Sequence, residues 1–98
     1  MAKQLFIRPQ AEIDLENIFY YGLSHFGQQK AAAFFERIKT NLDHLCLFEI
    51  GSACFEIYPN LYRHIVGNYV IFFFRSSHTI EIVRILHSSQ DTQTQFNS

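Results

Sequence analysis

The sequence predicts an α+β fold: an N-terminal strand, then an antiparallel helical hairpin packed on a twisted, mainly antiparallel sheet, in the order β-α-α-β-β-β. Three observations predict it. Residues 61–75 and 79–87 are β-branched and aromatic almost throughout, interrupted only at Gly67-Asn68 and at Ser76-Ser77-His78, which reads as three short strands in a meander. Residues 11–45 instead repeat apolar positions every three or four residues, with one break at Gly27, the period of two helices. Helices separated along the chain from a run of strands place the helices on one side of an antiparallel sheet.

Each element has a local reason. Lys3-Gln4-Leu5-Phe6-Ile7-Arg8 is rich in strand formers and is ended by Pro9, so it is the first strand and joins the sheet at or near an edge. Pro9 suits a first helical turn, where its missing N–H costs nothing. Ala11, Leu15, Ile18, Gly22 and Phe26 recur at helical spacing, and Glu12, Asp14 and Glu16 crowd the first turns, where the helix dipole favours acids. The first helix is predicted over 9–25. Gly27 can adopt the left-handed backbone that stops one helix before the next. Ala31, Phe35, Ile38, Leu42 and Leu45 form one apolar stripe on a helix of about five turns. Gly22 and Ala31-Ala32-Ala33 offer small side chains where the two helices approach. From Phe48 to Pro59 the period is lost. Glu49-Ile50-Gly51-Ser52 reads as a turn, Cys54-Phe55-Glu56-Ile57 as a short extended piece and Pro59-Asn60 as another turn.

A chain of 98 residues makes one domain, 1–98, with the polar stretch 88–98 predicted to be a frayed tail. The formal charge of −1 gives no basic footprint for phosphate, so sequence-specific nucleic-acid binding is not expected. Acids are frequent in the first half, whereas Arg63, Arg75 and Arg84 dominate the sheet. Cys46 and Cys54 fit no CxxC motif, and two reduced, buried thiols are expected. With no signal sequence and no apolar run of membrane-spanning length, a cytoplasmic protein is expected.

Candidate chemistry lies in the sheet. Simple alternation puts Ile80, Ile82, Arg84 and Leu86 on one face of the last strand and Glu81, Val83, Ile85 and His87 on the other. Arg84 has two readings: a stem packed on the sheet with its head paired to Glu56 or Glu81, or a cation presented to a phosphate or a partner's carboxylate. His87 ends the strand with Asp91 nearby, a pair able to act as general acid or base or simply to sit exposed. Arg63 and His64 point to opposite faces. No Gly-rich phosphate loop, HExxH or clustered His/Cys set is present, so neither a metal nor another cofactor is expected.

Taken as an ordered set, these residues resemble the ParE branch of the ParE/RelE superfamily of type II toxins (the plasmid-stabilisation family). The carriers are Ala11-Glu12-Ile13-Asp14-Leu15-Glu16-Asn17-Ile18 with Tyr21, then Phe26-Gly27, then Ala31 and Phe35 leading to Leu42 and Leu45. The strands add Tyr62-Arg63-His64-Ile65-Val66-Gly67-Asn68-Tyr69-Val70-Ile71-Phe72-Phe73, then Ile80-Glu81-Ile82-Val83-Arg84-Ile85-Leu86-His87 with Asp91. There are departures: Phe48-Glu49-Ile50-Gly51 keeps the glycine of the family's Pro-x-x-Gly and loses the proline, and Tyr62-Arg63 and Phe74-Arg75 replace Leu-Arg and Tyr-Arg. The resemblance implies the same fold, a ParD-like antitoxin partner in a hetero-oligomer, and non-enzymatic toxicity through DNA gyrase. It makes Arg63, Tyr69, Arg75, Arg84 and His87 candidates for contact with target or antitoxin. The alternative is a RelE-like, ribosome-dependent mRNA endonuclease using Arg63, Arg84 and His87. A third reading is a non-toxic homologue that only binds antitoxin.

Overall fold

The computed structural model describes residues 2–90 and 96. The order is β1 (Gln4–Ile7), α1 (Pro9–Phe26), α2 (Gln28–Leu47), β2 (Ser52–Ala53), β3 (Leu61–Val66), β4 (Tyr69–Arg75) and β5 (Thr79–His87). The sheet runs β1-β5-β4-β3-β2. The β1–β5 pair is parallel and the others are antiparallel. The α+β architecture and the edge position of the first strand are therefore as predicted. One strand was not: the two-residue β2 at Ser52–Ala53 starts at the last residue of the predicted turn, and the predicted extended piece after it is instead a series of turns. Gly51 explains the shift. Its φ of 101° is closed to most side chains, and a Cβ there would sit 2.9 Å from both the Arg63 carbonyl oxygen and the Phe73 ring. The backbone is thus pressed onto the sheet at Gly51, and the next two residues pair with β3.

The helices pair as the small residues suggested. Gly27 has φ 87° and ψ 169°, a positive-φ conformation distinct from the left-handed helical one and almost confined to glycine. A Cβ on Gly22 would approach the Ala31 Cβ to 3.2 Å, so helix contact at this level needs a glycine. Ala11, Leu15 and Ile18 of α1 and Ile38, Leu42 and Leu45 of α2 pack with Ile71, Phe73, Ile80, Ile82 and Ile85 on one face of the sheet. Burying each large member contributes about 1.5–3 kcal/mol. Phe26, assigned to the same stripe, is instead exposed at the hairpin tip.

The far face carries a second cluster of Cys54, Leu61, Phe72, Val83 and Leu86. The loop between β2 and β3 lies against it through Cys54 and Ile57, and Phe96 meets the Phe72 ring at 5.1 Å. Both cysteines are free and buried. The stretch predicted as frayed begins with a turn whose Ser88 N–H donates to the Asn68 carbonyl at 2.8 Å.

The face assignment along β5 is corrected by a bulge. Phe72 is opposite Arg84 but Phe73 is opposite Ile82, which leaves Val83 as an extra residue. An extra residue advances the alternation by one step. Ile80, Ile82 and Ile85 therefore face the helices, while Val83, Arg84 and Leu86 belong to the far face.

Asp14 is the other correction. It was counted among the dipole-favoured acids of α1, yet it is 8% exposed and binds β5. Arg84 donates to it through Nε at 2.8 Å and Nη2 at 3.1 Å, and the Ile85 N–H donates at 3.0 Å. The acid that Arg84 meets is thus Asp14 rather than Glu56 or Glu81; Glu81 pairs with Arg8 instead.

Two stability predictions follow from this packing. Asp14→Ala removes the carboxylate that Arg84 and the Ile85 N–H share, and is expected to cost about 3 kcal/mol in urea unfolding. Arg84→Ala in the same background should add much less than it does alone. Gly51→Ala is expected to cost about 1–3 kcal/mol, whereas an alanine at exposed Lys39 should be nearly neutral.

Candidate functional site

At one end of the sheet the hairpin tip, the β3–β4 turn and the end of β5 enclose a cleft of about 440 Å³. Its position follows from local chain geometry. Gly67, at φ 59°, occupies the first central position of the two-residue β3–β4 turn, where glycine is preferred. The absence of a side chain lets the turn lie against α2: a Cβ on Gly67 would be 3.2 Å from the Phe34 ring and 3.6 Å from an Arg37 guanidinium nitrogen. The Ser88–Asn68 hydrogen bond fixes the end of β5 to the same turn.

Tyr69 and His87 face each other across β4 and β5 on the helix side, where their rings meet edge to face at 5.2 Å. Phe34 closes on Tyr69 at 5.7 Å. Burial, reinforced by Tyr21, pushes the Tyr69 phenol above its usual pKa, so the hydroxyl stays a neutral donor and acceptor. The Ser89 N–H donates to His87 Nδ1 at 3.1 Å, and the Ser89 hydroxyl lies 2.7 Å from the same nitrogen. In the neutral ring this leaves the proton on Nε2. Asp91, proposed as the carboxylate partner of His87, lies outside the described residues.

The other sequence candidates lie elsewhere. Arg63 is exposed on the far face, in one cross-strand row with Phe72 and Arg84. Arg84 shares that row, but its guanidinium reaches Asp14. Arg75 lies at the opposite end of β4, where its guanidinium is 4.4 Å from the Tyr62 ring centroid and donates to the Ile50 carbonyl at 2.7 Å. The structure thus joins Tyr69 with His87, and Arg63 with Arg84, on opposite faces, and leaves Arg75 apart from both. Among the described residues no group of three or more His, Cys, Asp or Glu is placed to hold a metal. None of the helices there is long and apolar enough to cross a membrane.

Three residues of the cleft were not singled out from the sequence: Lys30, Phe34 and Arg37. Their spacing of four and three places them on one stripe of α2, beside the buried stripe of Ala31 and Ile38. That pattern was legible, but which flank of the helix the sheet would leave open was not.

Comparison with known proteins places this geometry. The family model described as the ParE toxin of type II toxin-antitoxin system, parDE, matches residues 5–92. A solved chain described as the chromosomal ParDE TA system from P. aeruginosa superposes with a TM-score of 0.76 at 19% identity. The alignment covers 88% of this chain and 96% of that one, a likeness of fold. No curated protein matches the sequence.

His64, between β3 and α2, supplies a pH prediction. Its Nε2 lies 2.8 Å from Asn41 Oδ1. Burial first, and the nearby His44 second, hold its pKa below the ordinary 6.5. The unfolded chain therefore takes up the proton first as pH falls. Stability is retained above about pH 6.5 and falls as pH drops through the folded value. Urea unfolding of wild type and His64→Gln over this range should show a shallower loss in the variant.

Proposed function

The chain belongs to the ParE toxin family of type II toxin–antitoxin systems, and on that premise we propose that it acts in the cytoplasm as a non-enzymatic inhibitor of DNA gyrase, neutralised by a ParD-like antitoxin. The observation that carries the reading is a family match running through nearly all of the chain, from β1 to beyond β5. The antitoxin's C-terminal segment folds onto the toxin as an amphipathic helix, a case of coupled folding and binding. Contact with target or antitoxin falls to Tyr69, His87 and Arg63. Arg84 and Arg75 hold the fold, because their guanidinium groups are engaged by Asp14 and by Tyr62 with Ile50.

The placement of Arg63, Arg84 and His87 argues against these three acting together as an endonuclease site. Cleaving RNA needs cations and an acid–base group converging on one phosphate. Here His87 lies on the helix side, whereas Arg63 and Arg84 share the far face. Arg84 is bound at two nitrogens by a carboxylate.

Purified protein is expected to inhibit gyrase-catalysed supercoiling of relaxed plasmid, and expression without antitoxin to arrest growth with DNA damage. The same preparation should leave mRNA intact on programmed ribosomes. Site-specific cleavage abolished by His87→Ala would replace the gyrase reading with endonuclease activity. Failure in both assays, with antitoxin binding retained, would identify a non-toxic antitoxin binder.

A further inference from the structure

Two histidines lie outside everything that the gyrase reading uses, His44 on α2 and His64 on β3. They are far apart in the sequence, and the fold brings them together. β3 runs back along α2: Gly67 lies against Phe34 and Arg37, and His64 lies beside Asn41, 2.8 Å from its Oδ1. Moving toward the start of β3 therefore means moving toward the C-terminal end of α2. Arg37, Asn41, His44 and Phe48 follow at spacings of four, three and four, a single stripe of the helix. His44 thus stands one turn past the residue that holds His64, on the same stripe. The pair sits at the side of the sheet where β2 contributes only two residues, paired with Tyr62 and Arg63. His44 is exposed there, so ions reach it from solvent.

The hydrogen bonds around His64 define its chemistry. Asn41 donates through Nδ2 to the Arg37 carbonyl at 2.8 Å, an oxygen that can only accept. The amide orientation is thereby fixed, and Oδ1 is the atom that faces His64. His64 must donate from Nε2, which leaves the lone pair of the neutral ring on Nδ1. An imidazole that gives one N–H to an oxygen and keeps the other nitrogen for an ion is the arrangement typical of metal-ligating histidines. Burial and the neighbouring His44 hold the His64 pKa low, so the ring is unprotonated at neutral pH, as a ligand must be.

We infer that His44 and His64 form a binding site for a divalent transition-metal ion of the zinc class, with the two imidazoles clasping α2 to β3. Imidazole suits zinc, copper and nickel, whereas magnesium and calcium take oxygen ligands. No third His, Cys, Asp or Glu joins the pair among the described residues. Water completes the coordination, and the ion exchanges with solvent instead of serving as a closed structural site. Because the two ligands belong to different elements, the site exists only in the folded chain, and the ion stabilises that state by mass action. The proposal stands apart from the gyrase reading and is tested without it.

The test is titration of the full-length, chelator-treated protein with zinc chloride, followed by calorimetry and thermal unfolding. One ion per chain is expected, with Tm raised by about 5 °C when zinc is roughly tenfold above its Kd. His44→Gln, at an exposed position, should abolish the rise while leaving the metal-free Tm unchanged, and His64→Gln should abolish it too. Asn41→Ala should weaken zinc binding about tenfold by releasing the His64 ring. His78→Gln, in the β4–β5 turn, should bind zinc as wild type does, and magnesium chloride should give no rise. Absence of zinc binding, an undiminished rise in His44→Gln or His64→Gln, or an equal response to magnesium would overturn the proposal. So would one ion per two chains, which would place the ion between copies of the protein.

Discussion

The carboxylate of Asp14 fixes how the two halves of this fold meet. β1 pairs with β5 only as far as Ile82, and the Arg8 N–H then donates to the Ile82 carbonyl as the chain turns into α1. Beyond that point β5 has no strand on this side, and its N–H groups need another acceptor. Asp14, one turn into α1, meets the Ile85 N–H and the Arg84 guanidinium at once. Such a buried pair adds little net stability because desolvation offsets attraction. Its effect is positional: only one placement of α1 over β5 satisfies all three groups. The core positions Leu15 and Ile18 and the cleft wall at Tyr21 lie on the same helix and take their positions from it.

The bulge at Val83 belongs to the same arrangement. By advancing the alternation, it moves Arg84 onto the far face while Ile85 and His87 turn toward the helices. A regular strand carrying Ile82, Arg84 and Leu86 on one face would set the cation among the residues that line the helical core. With the bulge, the stem of Arg84 lies on the far face, and its head passes the open edge of β5 to reach Asp14. The same shift divides the candidate chemistry. Arg63 and Arg84 flank Phe72 on one side, and Tyr69 meets His87 on the other. Arg63 and Arg84 on one face and His87 on the other cannot meet on a single phosphate, so these three form no joint site.

Glycines set the approach distances on which the cleft depends. Gly22 brings α1 onto α2 at Ala31, and Gly67 brings the β3–β4 turn onto Phe34 and Arg37. A larger residue at either place would move one wall of the cleft outward. The sequence marks these positions as breaks in two apolar patterns, but a break alone does not say which element approaches.

Much was decided by the sequence itself. The periods of 3.6 and 2 defined both helices and the three long strands, because each is a local property of side-chain spacing. The same patterns named most of the core, and the ordered residues carried the family resemblance. What only the tertiary structure decided is long-range. The partner of Arg84 lies 70 residues away in a helix whose early acids the sequence accounts for by the helix dipole alone. The phase of β5 changes at Val83 because of its pairing with β4, which is invisible in β5 alone. The two residues of β2 are a strand only because Gly51 lets the backbone meet Arg63. Lys30 and Arg37 border a cleft only because the sheet ends where it does. Periodicity fixes which way a side chain points relative to its own element, whereas the surface it meets is set by contacts between segments far apart in the chain.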